Sequence, residues 1–363
     1  MIHFAVDRAG AFGLEHFKMF NGKEIADRIR IHLYEDLPDA SSLPVGSWTF
    51  AALDQLTLGQ VEVAAAAWEA LERTGASIRL LNHPFEAARR YDLLTKLFEE
   101  GDNRFQVTRA TAAPSVTTFP VFVRSEREHT GSLTPILHDP ATLSRSLLGL
   151  RLRGYDPREL LIVELCDTRD QDGLFPKYSA FCVDSTIIPR YLTFGPSYMV
   201  KHQTSHFSPE RTAREREYLE TNPHEEQLAE IFARARIGYG RADYGVLDGQ
   251  LQIWEINLNP TIGRGLRSGR RVMPHGMEEV RKLREPGKNL FHARFREALV
   301  SLDVEVGEPR EVPFKVEQPT VRRIRQELGQ RRRVERRRDL MRRLHGNQVS
   351  RWVKRRAEPY NQP

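Results

Sequence analysis

The sequence predicts a mixed protein of α/β and α+β type, with two or three lobes followed by an arginine-rich helical tail. Three observations predict this class. Short apolar strands alternate with helical patterns in the first 100 residues, strand patterns predominate over 119–194, and Lys and Arg concentrate at the C-terminal end. A chain of 363 residues also exceeds what one typical hydrophobic core requires, which favours more than one lobe.

A small N-terminal α/β lobe is predicted over residues 1–85. A helical pattern over 59–74 ends at Thr74-Gly75, where glycine is the usual residue just past a helix. The glycines of this lobe do not follow a strand in G-x-G-x-x-G order, so a dinucleotide site is not expected. Three strand patterns complete the lobe, at 29–35, 49–56 and 77–84.

The central region, 86–305, is predicted to contain a second α+β lobe and to be the catalytic region. Asn222-Pro223 should divide the charged helical stretch 210–236 into two helices, because proline cannot continue a helix. A hairpin over 241–259 follows. Strand patterns lie at 119–125, 160–166, 178–184 and 186–192. Further helical patterns cover 85–100, 140–154 and 288–301.

The C-terminal segment 306–363 is interpreted as a proline-containing linker and a basic helical tail. Residues 307–363 hold 17 Lys and Arg against seven Asp and Glu, whereas residues 1–306 hold 38 and 42. A mildly acidic body with a basic appendage favours an ordinary enzyme with a separate interaction segment. That segment could bind nucleic acid, bind an anionic membrane surface, or be a solvated or protein-docking helix; only Trp352 and Tyr360 offer aromatic rings for base stacking.

The two cysteines, Cys166 and Cys182, lie on apolar strand-like segments and lack the spacing of metal ligands. They are interpreted as reduced core thiols, which favours the cytoplasm. The chain has no run of 18 apolar residues and no signal-peptide pattern, so neither export nor a membrane span is expected.

The chemistry is predicted to lie in the stretch RADYGVLDGQLQIWEINLNP. Strict alternation along its second strand would place one set of residues on a single face: Leu251, Ile253, Glu255, Asn257 and Asn259. Magnesium prefers carboxylate and amide oxygens, so Glu255 and Asn257, with Asp243 from the neighbouring strand, form a suitable metal site.

The register of this hairpin decides whether the metal ligands meet. A two-residue loop at Asp248-Gly249 would pair Asp243 with Trp254 and turn it away from Glu255, which would count directly against the metal site. A three-residue loop with Gly249 in the left-handed conformation would pair Asp243 with Ile253, and Arg241 with Glu255. We predict the three-residue loop, since it keeps the acids on one face.

These residues carry a family resemblance. RADYG, followed by WEINLNP with a Glu-x-Asn that begins 12 positions after Asp243, resembles the metal-binding end of ATP-grasp ligases such as D-alanine:D-alanine ligase. The resemblance extends loosely over about residues 75–262. It implies that Asp243, Glu255 and Asn257 hold two magnesium ions that bridge the ATP phosphates. It also implies that Arg241 neutralises the transferred phosphoryl group.

The resemblance further assigns residues to the nucleotide. Glu164 and Leu165, at the end of LLIVELC, would contact adenine, although Glu164 could instead be an ordinary strand-edge charge. Arg124 stands where the family usually has a phosphate-binding lysine. A planar guanidinium preserves the charge and changes the geometry. One of three acids would accept hydrogen bonds from the ribose, and the sequence does not choose among Asp167, Asp170 and Asp172.

Three lysines are further candidates for the ATP phosphates: Lys96, Lys177 and Lys201. Each of them could equally be a solvated surface lysine. The loop from His129 to Ser132 could fold over the triphosphate with its backbone N–H groups, or be a plain turn.

The expected activity is that of an ATP- and magnesium-dependent ligase. A small-molecule or peptide carboxylate would be activated as an acylphosphate and attacked by an amine. Four arginines of the loop 263–276 could hold anionic substrate groups or be solvated: Arg264, Arg267, Arg270 and Arg271. Two alternatives stay open: phosphoryl transfer to a hydroxyl, which would use the same metal hairpin, and a non-catalytic nucleotide-binding protein with a basic tail.

Overall fold

The computed structural model describes residues 1–128, 131–200, 205–262, 277–308 and 310–357. The chain divides into two compact units, one formed by Met1–Leu93 with Asp167–Arg322 and the other by Leu94–Cys166 with Arg323–Pro363. Each unit combines helices with β-sheet. The mixed α/β and α+β class expected from the sequence is confirmed.

Twenty-one strands and helices follow one another along the described chain. As far as Glu164 they are β1 (Ile2–Val6), α1 (Arg8–Met19), β2 (Ile29–Leu33), β3 (Ser42–Pro44), β4 (Ser47–Phe50), α2 (Leu58–Glu72), β5 (Leu80–Leu81), α3 (Arg90–Glu99), β6 (Val107–Arg109), β7 (Val121–Ser125), α4 (Pro140–Leu152) and β8 (Leu160–Glu164). The remainder are β9 (Phe175–Val183), β10 (Thr186–Gly195), α5 (Pro209–Thr221), α6 (Glu225–Arg234), β11 (Tyr239–Leu247), β12 (Gln250–Asn257), α7 (Met277–Val300), β13 (Glu311–Pro313) and α8 (Gln318–Ala357).

A parallel sheet with the strand order β2-β1-β4-β5 forms the N-terminal part of the first unit. The helix α2 begins with a capping box in which Thr57 and Gln60 each accept from the other's backbone N–H. The side chain of Asn82, just after β5, is buried and bonds to the backbone of Phe50 and of Gly238 and Tyr239. These bonds hold the start of β11 against the parallel sheet.

An antiparallel sheet with the order β10-β9-β11-β12 forms the other part of the first unit. One face of this sheet packs on α7, where Phe291 and Phe295 contact the buried ring of Phe181 in β9. The other face packs on α5, through Tyr218 and Leu219. This sheet presents the hairpin β11–β12.

The second unit contains the antiparallel sheet β6-β8-β7, with α4 packed on its apolar side. The basic helix α8 reaches this unit through Arg338, whose guanidinium lies on the ring of Tyr155 at 4.6 Å and pairs with Glu128 and Glu159. Among the described residues, no helix is both long and apolar enough to cross a membrane.

Several element boundaries differ from the sequence patterns. The helices α5 and α6 are separated at Asn222-Pro223 as expected, and Asn222 adopts a positive φ of 49°. The pattern at 77–84 yields only the two-residue strand Leu80–Leu81, and β13 lies within the segment interpreted as a linker, paired with β3. Pairing of β13 with β3 depends on residues almost 270 positions apart, which no local pattern reveals.

Candidate functional site

The hairpin β11–β12 turns through a two-residue loop, so the predicted three-residue loop is wrong. Leu247 pairs with Gln250, and both loop residues have positive φ, 50° at Asp248 and 79° at Gly249. Positive φ at both central positions is typical of the tight turn that Asp-Gly favours, because its twist matches that of the flanking strands. The loop alone would turn Asp243 away from Glu255.

A β-bulge in β12 restores the alignment of the two acids. Tyr244 pairs with Ile253 and Asp243 pairs with Glu255, which leaves Trp254 as an extra residue. The expected pairs of Asp243 with Ile253 and of Arg241 with Glu255 are therefore wrong. The expected single face is also wrong at Ile253, since its partner Tyr244 lies on the face opposite Asp243.

The bulge has a packing reason in β11. A Cβ atom on Gly245 would lie 2.8 Å from the ring of Trp254 and about as close to Thr168, so only glycine leaves room for this ring. A bulge is a common means of re-aiming a side chain in a sheet. Here it places Asp243 opposite Glu255, and Arg241 opposite Asn257.

Asp243 is buried among cationic and hydroxyl groups. Its Oδ1 accepts from Ser179 Oγ at 2.9 Å and from Arg241 Nε at 2.9 Å. Its Oδ2 lies 2.7 Å from Lys177 Nζ and accepts from Arg241 Nη2 at 3.1 Å. Ser179 and Lys177 project from β9, the strand next to β11. Lys177 thus lies against a predicted metal ligand.

The charges around Asp243 keep it ionised. Burial alone would raise the pKa of Asp243, but the positive charges of Arg241 and Lys177 outweigh it and the pKa lies below its ordinary value. Likewise, burial would lower the pKa of Lys177 and of Arg241, and the charge of Asp243 raises both above their ordinary values. The three groups form a buried cluster with a net charge of about +1.

The other two predicted metal ligands have partners of their own. Glu255 Oε2 accepts from Arg90 Nη2 at 2.7 Å, and both side chains are nearly buried. Asn257 Oδ1 accepts from the backbone N–H of Asn259 at 2.8 Å. That bond aims the amide oxygen along the end of the strand.

A hydrogen-bonded aromatic cluster supports β11 from the opposite face. The hydroxyl of Tyr244 lies 3.0 Å from that of Tyr218 and 2.9 Å from His224 Nδ1, and the ring of Tyr244 stacks on Tyr178. The Tyr218 hydroxyl donates to the Ser179 carbonyl oxygen at 2.9 Å. Burial lowers the pKa of His224, so its neutral imidazole can accept a hydrogen bond here. The cluster contacts the Ser179 carbonyl directly and holds Tyr244, the residue after Asp243, so it supports the backbone at both positions.

The three ribose candidates lie in the loop before β9, each with an arginine. Asp167 bonds to Arg169, Asp170 pairs with Arg214 at 3.3 Å, and Asp172 pairs with Arg211 at 3.1 Å. Asp170 also accepts backbone N–H bonds within its own loop. Asp170 therefore organises the loop, and none of the three is singled out as a ribose ligand.

Four predicted nucleotide residues belong to the second unit. Glu164 Oε2 accepts from the backbone N–H of Gln106, and the N–H of Leu165 donates to the carbonyl oxygen of Pro120. Arg124 is buried on β7, opposite Leu161. Lys96 is half exposed on α3 and pairs with Glu100 at 3.8 Å. Glu164 and Arg124 share the sheet β6-β8-β7, and Leu165 directly follows β8.

Some of the predicted residues lie outside the described residues. These are Lys201, His129, Thr130 and the four arginines of the loop 263–276. Neither cysteine forms a disulfide. Cys182 is buried and Cys166 is partly exposed, and burial raises the pKa of Cys182 to about 12, which agrees with an unreactive core thiol at Cys182.

Sequence reasoning missed Arg90 and Ser179, which contact the two predicted metal-binding carboxylates. Neither could be found from the sequence, because Arg90 precedes Glu255 by 165 positions and a serine within a strand is common. The bulge offered one weak signal, a glycine at 245 in a strand whose other residues are mostly large.

The donor set fits magnesium. Asp243 and Glu255 oppose each other on adjacent strands, with Asn257 two positions further along, and all three offer hard oxygen atoms. Among the described residues there is no cluster of three His, Cys, Asp or Glu, so this set consists of two carboxylates and one amide. Lys177, Arg241 and Arg90 occupy the carboxylate oxygens in this structure and would have to yield them.

Comparison with known proteins finds similarity at the level of solved structures. The ATP-grasp ligase PsnB in complex with a precursor variant, Mg and ADP is 10% identical with a TM-score of 0.46, over 83% of this chain and 96% of that chain. The RimK domain protein ATP-grasp from Sphaerobacter thermophilus is 14% identical with a TM-score of 0.45, over 84% and 99%. D-alanine--D-alanine ligase from Bacillus anthracis, complexed with ATP, is 12% identical with a TM-score of 0.41, over 82% and 98%. No family model and no curated protein sequence matches the chain.

Proposed function

We propose that this protein is an ATP-dependent ligase that activates a carboxylate for attack by an amine. The observation that carries the proposal is the pairing of Asp243 with Glu255 across β11 and β12, with Arg241 and Asn257 paired beside them. Two acids, an amide and a buried arginine on one sheet face suit the binding of metal-bound phosphates better than they suit a solvated hairpin.

In the proposed reaction, a substrate carboxylate oxygen attacks the γ-phosphorus of ATP, and ADP leaves. The amine then attacks the acyl carbon, loses a proton and displaces phosphate. Bound ATP supplies the phosphoryl group, and magnesium supplies positive charge that offsets the phosphates. This chemistry needs no protein nucleophile, which agrees with the absence of a nucleophile motif from the sequence.

The residues of the hairpin have separate tasks in this proposal. Asp243, Glu255 and Asn257 would hold the metal ions. Arg241, which donates two hydrogen bonds to Asp243 in this structure, would yield them to the metal and stabilise charge on the transferred phosphoryl group. Lys177 would leave Asp243 and bind a phosphate oxygen of ATP instead, because a lysine is a mobile point donor on a flexible stem.

Calorimetry of ATP binding tests the proposal directly. The native chain is expected to bind ATP only with magnesium, and Glu255→Gln should weaken that binding at least about tenfold by removing one hard anionic ligand. Glu86→Gln is the matched control, since Glu86 is an exposed acid of the same unit whose ion-pair partner among the described residues is the exposed Arg236. Magnesium-independent binding, or equal binding by the native chain and Glu255→Gln, would contradict the proposal.

The reaction class needs its own experiment. With ¹⁸O in the carboxylate of a turned-over substrate, a ligase of this kind should release phosphate that carries one labelled oxygen. Unlabelled phosphate would exclude the acylphosphate route. A phosphate ester as the product would indicate phosphoryl transfer to a hydroxyl instead.

A further inference from the structure

A second arginine lies on the same face of the antiparallel sheet as Asp243, and neither the metal site nor the nucleotide assignment uses it. Arg190 is the extra residue of a bulge in β10, where Pro189 pairs with Ala180 and Tyr191 pairs with Ser179. The strand β10 is an edge strand, in which a proline without an N–H is tolerated. The bulge re-aims the Arg190 side chain.

The face on which Arg190 lies follows from its contacts. Its guanidinium carbon is 4.2 Å from the centre of the Phe291 ring, and Phe291 packs against Phe181 of β9. Phe181 lies two positions after Ser179 in β9, so both side chains project to the same side of the sheet. Because Ser179 bonds to Asp243, Arg190 and the predicted metal ligands share one face.

Arg190 lies within reach of the proposed site. Tyr191 pairs with Ser179, which in turn pairs with Asp243, so two strand spacings separate the β10 backbone from Asp243, or about 10 Å. Arg241 lies between them, with its guanidinium 5.7 Å from the Tyr191 ring. A substrate of a few carbon atoms could span this distance.

Arg190 lacks an internal counter-charge. Among the described residues, no carboxylate lies within ion-pair distance of it. Glu215, the acid whose charge acts on Arg190, bonds to Arg284 at 2.7 Å, and Asp243 is already bonded to Arg241 and Lys177. Burial lowers the pKa of Arg190 to about 10, which still leaves it charged at neutral pH. A half-buried cation without an ion-pair partner among the described residues is only partly compensated, and an anionic ligand would complete its charge balance.

We propose that Arg190 binds a carboxylate of the substrate, beside the metal-binding hairpin. This inference rests on the proposed function and names a recognition residue for its substrate. With one face on Phe291, the guanidinium keeps its edge N–H groups free for two parallel bonds to a carboxylate. A single charge also suits a carboxylate better than a phosphate dianion. The neighbouring His292 adds no charge, since burial and the charge of Arg190 lower its pKa to about 4.

The test uses N-acetylglycine as the probe and the neutral N-acetylglycinamide as its matched analogue. The Nε–Hε signal of Arg190, assigned by its loss in Arg190→Gln, should move on addition of N-acetylglycine and stay in place with N-acetylglycinamide. The dissociation constant from ligand-detected NMR should rise at least about tenfold in Arg190→Gln, since one bidentate pair is lost. Arg310→Gln, at an exposed arginine whose ion-pair partner in the described part of the chain is Glu308, should bind as the native chain does.

Three results would overturn the inference. An Arg190 signal that does not respond to N-acetylglycine would do so, with Arg190→Lys providing the assignment if Arg190→Gln failed to fold, and so would an equal response to the neutral amide. A response to inorganic phosphate at equal ionic strength, without one to the carboxylate, would place Arg190 in the nucleotide site instead. Carboxylate binding in a chain that does not bind Mg-ATP would keep this inference and remove the proposed ligase. Mg-ATP binding without carboxylate binding would remove this inference and leave the proposed nucleotide site in place.

Discussion

Arg90 Nη2 lies 2.7 Å from Glu255 Oε2, and the exposed fractions of the two side chains are 4% and 14%. The pair joins the start of α3 to β12, and it gives Glu255 a fixed position and a counter-charge.

Replacing Arg90 by Gln is expected to destabilise the protein by about 3 kcal/mol, because it leaves the Glu255 carboxylate nearly buried without its counter-charge. Urea unfolding measures the change. Addition of magnesium and ATP should stabilise Arg90→Gln more than the native chain, since the metal replaces the missing cation. A loss of less than about 0.5 kcal/mol would show that the ion pair contributes no more than a surface contact.

In the proposed metal site, Lys177 and a metal ion would compete for the same oxygen, Asp243 Oδ2. In Lys177→Gln we therefore expect tighter binding of magnesium alone, and weaker binding of Mg-ATP because a phosphate contact is lost. Calorimetry with each ligand gives both values. Lys23→Gln, at an exposed lysine of the same unit, serves as the control and should alter neither. Parallel changes in the two affinities would contradict the exchange of Lys177 between Asp243 and phosphate.

Gly245 leaves room for the ring of Trp254, so Gly245→Ala should disturb the bulge. We expect a loss of roughly 1–3 kcal/mol from overpacking, with a shift in tryptophan emission and weaker Mg-ATP binding. Gly13→Ala provides the contrast. Gly13 lies in α1 with open space at its Cβ position, and alanine there should stabilise the protein by about 0.5–1 kcal/mol. Unchanged Mg-ATP affinity in Gly245→Ala would show that the bulge does not set the metal site.

The stability of the first unit should depend on pH through a buried histidine pair. His3 Nδ1 lies 3.0 Å from His32 Nε2, and both rings lie against Trp48. Burial, and to a smaller extent the positive charges around the pair, lower the pKa of His3 to about 3. Burial and the charge of Arg30 lower the pKa of His32 to about 4. Between pH 4 and about 6.5 the unfolded chain binds more protons than the folded one, so stability falls as the pH falls.

Urea unfolding at pH 7, 5.5 and 4.5 measures this slope. His32→Gln removes one of the protons and should reduce the slope by up to about 1.4 kcal/mol per pH unit. His138→Gln, at an exposed histidine of the other unit, should leave the slope as it is. An identical slope in the native chain and His32→Gln would contradict the assignment to this pair.

The pattern of the sequence was sufficient for the local elements of the site. Alternating apolar residues with Asp248-Gly249 between them indicated the hairpin, and Asn222-Pro223 indicated the break between α5 and α6. The acids at 243 and 255 were identified as a pair from their oxygen-donor chemistry and from the Glu-x-Asn that follows RADYG at a fixed spacing. These signals are local, since backbone conformation at a turn or a helix end depends on a few neighbouring residues.

Tertiary structure decided which side chains meet. The sequence determined two strands and a tight turn, but the register depends on the Trp254 bulge, which exists because Gly245 and Thr168 leave space for one ring. The partners of the acids, Arg90 and Lys177, come from elements 165 and 66 positions away. Arg190 is placed by a bulge and by Phe291 on a helix that follows the hairpin. Burial and charge pairing arise only when such distant elements pack together, so they leave no periodic pattern in the chain itself.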